Sequence, residues 1–82
     1  MRDWYVEIVV ECVNMEKSAR ATGTLRFKRD IYQWEALLNT GFVEIKPKIE
    51  SVGLTLQIKK AILGVVGQVN LPLTRTTTVS EE

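Results

Sequence analysis

Leu25–Phe42, LRFKRDIYQWEALLNTGF, is the stretch on which the fold assignment turns. It reads as the end of a strand, a capped helix and the start of the next strand. Asp30 is a good N-cap, and Gln33 stands three residues on, at capping-box spacing. Ile31, Trp34, Leu37 and Leu38 then recur at i, i+3, i+6 and i+7, one apolar stripe on a short helix. Gly41 suits the left-handed residue that closes such a helix, and Phe42 follows as the residue that packs back on it. A helix this short is marginal alone in water, so its stripe must dock on a sheet.

The strands that would receive it lie on either side. Trp4–Val13 places Trp4, Val6, Ile8, Val10 and Cys12 on one face and Tyr5, Glu7, Val9, Glu11 and Val13 on the other. Residues 14–21 are polar and read as a hairpin loop. Thr22–Arg29 forms a second strand, with Leu25 and Phe27 inward and Thr24, Arg26 and Lys28 outward. Phe42–Ile49 alternates cleanly, and Pro47, which cannot donate to a ladder, marks it as an edge strand.

Glu50–Gly53 reads as a tight turn into a further strand over 54–59, pairing Ile49 with Leu54, Pro47 with Leu56 and Ile45 with Ile58. Ala61–Leu73 carries both periods. Ile62, Val65, Val66 and Val69 fit a helix, while the β-branched residues and glycines favour a fifth strand entered through a bulge near Lys59–Ala61. Residues 75–82 read as a flexible polar tail on a single domain spanning 1–74.

The expected fold is therefore α+β and mainly β, an antiparallel sheet of five strands in the order β-β-α-β-β-β with one helix on one face. The alternative is a duplicated ββα-ββα. It rests on the echo of Val6–Ile8 in Val43–Ile45 and of Thr24–Ile31 in Thr55–Ile62.

Composition bounds the function. The chain has 82 residues, a net charge of +1 and no histidine, which removes imidazole catalysis and His-ligated metals. No catalytic, cofactor-binding or metal-binding signature is present, so the chain is expected not to be an enzyme and to need no cofactor. Cys12 is alone, which precludes an intrachain disulfide and points to a reducing, cytoplasmic setting. It falls in phase with the buried face of the first strand and reads as a structural thiol. Glu7 and Glu11 lie roughly 13 Å apart along one strand, too far for a paired-carboxylate mechanism. No apolar run is long enough to span a bilayer, which takes about 20 residues.

Charge is unevenly spread. Residues 1–16 sum to −3, residues 17–75 to +6, and the last two glutamates add −2. Arg26, Lys28, Lys46, Lys48 and Lys59 all fall at outward positions. On neighbouring strands they would make a basic sheet face, the alternative reading of nucleic-acid binding.

The leading expectation comes from counting faces. One short helix covers one side of a sheet, yet the first strand is apolar on both. Tyr5, Val9 and Val13, with Trp4 as a core or interface anchor, are thus interface candidates for a second copy or a protein partner. The expected role is a non-catalytic, self-associating or protein-binding module, a structural subunit of a larger assembly. The run GTLRFKRDIYQWEALL, under a fifth of the chain, resembles the strand-then-helix segment of phage and contractile-injection tail-tube proteins, with Asp30 where those have glycine. That resemblance also implies assembly.

Overall fold

A computed structural model describes residues 2–14, 19–67 and 73–81. Strands β1 (Arg2–Asn14), β2 (Arg20–Phe27), β3 (Asp30–Leu37) and β4 (Phe42–Lys46) precede helix α1 (Val52–Val66) and strand β5 (Leu73–Glu81). All pairings are antiparallel and the sheet order is β4-β3-β2-β1-β5. The class is as expected: α+β, mainly β, five antiparallel strands with one helix on one face. The helix, however, stands fifth among the elements rather than third, and no ββα duplication is present among the described residues.

The Leu25–Phe42 stretch is a hairpin, so its likeness to a strand-then-helix segment does not hold. Asp30–Leu37 carries both periods. As a strand it buries Tyr32, Trp34 and Ala36 and turns Ile31, Gln33 and Glu35 the other way. Aromatic and β-branched residues pack well on a pleated sheet, and pairing with β2 along the whole strand decides the matter. The connection is the two-residue turn Lys28-Arg29, with Lys28 at φ 59°. Two-residue hairpins need positive φ, normally signalled by Asn or Gly, and here neither is present. Gly41 does take the left-handed conformation expected of it, at φ 73°, but in the turn between β3 and β4, where its N–H donates to the Leu37 carbonyl at 2.9 Å.

The helix falls where strands were expected. Leu54, Ile58, Ile62, Val65 and Val66 recur at i, i+4, i+8, i+11 and i+12, and all are buried. Ser51 is the N-cap, its Oγ accepting from the Leu54 N–H at 3.2 Å, and the Thr55 hydroxyl donates to the Ser51 carbonyl at 2.7 Å. The 49/54, 47/56 and 45/58 pairings are therefore absent. The Phe42–Ile49 strand is at the sheet edge as expected but stops at Lys46, before Pro47. The expected tail is strand β5, paired with β1 from Leu73 to Glu81. Its threonines favour extended backbone, and its apolar signal is weak because among its described side chains only Val79 is buried.

A bulge in β1 changes two further assignments. The register slips between Val10, opposite Gly23, and Cys12, opposite Thr22. Glu11 is the extra residue, so beyond it the faces exchange. Val13 turns inward and packs against the core, while Cys12 is exposed. Cys12 is not a buried structural thiol. It will react fully with a disulfide reagent such as DTNB in the folded protein, without denaturant; a thiol that titrates only on unfolding would contradict the bulge.

The core lies between the inner sheet face and α1. Val6, Ile8 and Val10 meet Leu25 and Phe27 from β2, Tyr32 and Trp34 from β3, and the buried stripe of α1. The outer face carries Glu7, Thr24, Arg26, Gln33 and Glu44, with Tyr5 and Ile31 exposed among them. No helix among the described residues is long and apolar enough to cross a membrane.

Candidate functional site

The free edge of β4 and the flank of α1 enclose a groove of about 320 Å³. Its construction follows from two periodicities. Along β4, alternation turns Val43 and Ile45 toward the core, where Val43 is buried and Ile45 partly so. Along α1, the stripe through Leu54 and Ile58 faces the sheet. Val52, Leu56 and Lys59 form a second line at i, i+4 and i+7, on the flank beside β4. Buried Ile49, in the connection between β4 and α1, also lines the groove.

The rim is unusually apolar for an exposed surface. Phe42 is 51% exposed, Val52 70% and Leu56 53%. Scattered surface apolar residues need no explanation, but these three share one depression with Ile45 and Ile49. Lys48 and Lys59 stand beside them. Among the described residues neither is ion-paired, whereas Lys46 meets Glu44 at 3.2 Å. The groove thus offers apolar surface, two lysines without an ion pair and, along β4, a strand with no neighbour on its outer side among the described residues.

Other depressions are less suited to binding. One on the outer sheet face is polar, set among Glu11, Glu35, Glu44 and Lys46, with Arg20 already paired to Glu35. No group of three or more potential metal ligands occurs among the described residues. A third, near the N-terminus of α1, holds Trp4, Lys28, Tyr32 and Glu50. There, burial foremost, then the charge of Asp30 and a hydrogen bond with it, and then Glu50, push the Tyr32 phenol above its ordinary range. A phenol held protonated in this way is a poor proton acceptor at neutral pH.

The interface residues expected from sequence do not form one patch. Tyr5 is 77% exposed on the outer face, and Val9 is half-buried there. Val13 is inward because of the bulge. Trp4 is inward and half-buried, edge-on to Phe27 at 5.2 Å, with the Lys28 Nζ 4.5 Å above its ring.

The five basic residues are also dispersed. Arg26 is on the outer face, 3.6 Å from Glu7, and Lys46 is on the same face beside Glu44. Lys28 sits in the β2–β3 turn, and Lys48 and Lys59 belong to the groove. The expected single basic face is not assembled.

Phe42, Val52 and Leu56 were not legible as a site. Sequence alternation places Leu56 inside a strand, Val52 in a turn and Phe42 behind a helix. Reading 52–66 at period 3.6 is the signal that separates Val52 and Leu56 from the buried stripe. No family model, no curated protein and no solved structure matches the chain.

Proposed function

We propose that this chain is a non-catalytic module that binds another polypeptide, with the β4–α1 groove as its docking surface. The observation that carries this reading is the exposed trio Phe42, Val52 and Leu56 beside a strand that has no neighbouring strand on its outer side among the described residues. Exposed apolar surface gains by burial, at about 25 cal/mol per Å². Edge N–H and C=O groups gain by pairing with a further strand. A role as a structural subunit fits the same geometry, since β5 supplies a second free edge at the far side of the sheet.

Two measurements test the reading together. Sedimentation velocity from about 1 to 100 µM reports self-association, and selection from a displayed peptide library on the folded chain reports binding to others. Association in either is expected. A chain that stays monomeric across the range and enriches no peptide is not a binding module of this kind.

A further inference from the structure

We infer that the β4–α1 groove takes an extended acidic peptide, which adds to β4 as a sixth strand; this rests on the docking reading above. A strand laid along β4 points alternate side chains to opposite sides of the sheet. Those on the inner side enter the groove and meet Ile45, Val52 and Leu56, so apolar residues are favoured on that side of the ligand. Main-chain pairing supplies affinity and the groove supplies selectivity, as in other strand-addition sites.

Charge selects the residues that reach the margins of the groove. Lys48 and Lys59 flank the groove, and Lys46 already answers Glu44. Asp or Glu in the ligand would pair with Lys48 and Lys59, neither of which has an ion pair among the described residues. Complementary charge of this kind raises association rates and rejects basic competitors.

Charge and backbone chemistry together disfavour a second copy of the chain in this groove. Two-fold pairing of β4 with β4 centred on Glu44 sets Glu44 opposite Glu44, and like charges directly across a ladder are destabilising. Centring on Ile45 lets Glu44 face Lys46 but sets Val43 opposite Pro47, which has no N–H to give. Either arrangement brings Lys48 and Lys59 of both copies toward one seam with no additional acid to meet them.

The test begins with selection of displayed random dodecapeptides on the full chain. An enriched peptide is then synthesised with a fluorophore and titrated by anisotropy. The variants are Leu56→Asp, the pair Lys48→Glu/Lys59→Glu, and Tyr5→Ala as an outer-face control. All four positions are at least partly exposed, and circular dichroism with a thermal midpoint checks that each variant folds.

Selected peptides should combine apolar residues with Asp or Glu. Affinity should fall about tenfold or more in Leu56→Asp and in the charge-reversed pair, and stay unchanged in Tyr5→Ala. A ligand with its acids changed to lysine should recover binding to the charge-reversed pair. The amides of Phe42–Lys46 should gain hydrogen-exchange protection on binding.

Selection of basic or uncharged peptides overturns the proposal, as does indifference to Lys48→Glu/Lys59→Glu. So does a concentration-dependent dimer that protects the β4 amides by itself. So does binding of a twelve-residue oligothymidylate at low salt that is lost in the charge-reversed pair. Peptide binding abolished by Tyr5→Ala alone removes the groove but leaves the module reading standing. No enrichment, with a monomer throughout, removes both.

Discussion

Gly23→Ala will cost about 3 kcal/mol of folding stability, the upper end of what overpacking a well-filled core usually costs. A Cβ at Gly23 would overlap the Val9 carbonyl oxygen and lie 2.7 Å from the Trp34 indole. The indole is held in place, because its N–H donates to the Thr24 carbonyl at 2.9 Å. The Val9 oxygen is backbone in the central part of the sheet, next to the β1 bulge, and has no easy retreat. For 82 residues the whole stability margin is roughly 4–12 kcal/mol, so the loss is a large fraction of it. Thermal unfolding should show the midpoint falling by roughly 15 °C. Trimming Trp34 to leucine in the same chain should not restore it, since the backbone contact remains. A Gly23→Ala protein within about 0.5 kcal/mol of the parent would mean that β1 and β2 do not approach as described.

The same crossing shows what sequence could reveal. Leu25 and Phe27 inward with Thr24 and Arg26 outward follow from alternation alone, and so do Val6, Ile8 and Val10 on β1. Alternation is a local property, and it held wherever no register change intervened. The bulge at Glu11 is not local. It arises from how β1 meets β2, and no residue from Val10 to Cys12 announces it, so Cys12 and Val13 exchanged faces. Gly23 likewise acquires its meaning only when the Trp34 indole lies across it.

Asp30–Leu37 and Val52–Val66 failed for a different reason. Each fits both a helical and a strand period, so tertiary pairing rather than pattern chose between them. Cap and turn signals tipped the reading the wrong way. Asp30 and Gln33 mimic a capping box in what is a strand, Lys28-Arg29 makes a hairpin without Asn or Gly, and the true cap, Ser51, reads as a turn residue. The site inherited this error. Once α1 is misread as strand, Leu56 is counted inward and the groove beside β4 does not exist. One premise of the face count is seen, since among the described residues one helix covers one side of the sheet and Tyr5 on the other side is open to solvent.

Ile58→Ala against Leu56→Ala separates the two periods experimentally, and the expected gap between them is large. In a strand over 54–59, Leu54, Leu56 and Ile58 share one face and would be buried alike, so truncating either Leu56 or Ile58 would cost a similar amount. In α1 they diverge by 200° around the helix axis at 100° per residue, on the geometry of about 3.6 residues per turn. Ile58 is fully buried against the sheet, and Leu56 is 53% exposed on the groove rim. Ile58→Ala should therefore cost about 4 kcal/mol, the lost transfer energy plus the cavity left behind. Leu56→Ala should stay within about 0.5 kcal/mol, as for a surface change. Urea unfolding of the two variants measures both, with the slope of the transition unchanged if only stability has moved. Equal losses would return this segment to the sheet and take the groove with it. A large loss at Ile58 alone fixes the helical phase. That phase is what leaves Val52 and Leu56 facing outward beside β4, their apolar surface still open to a partner.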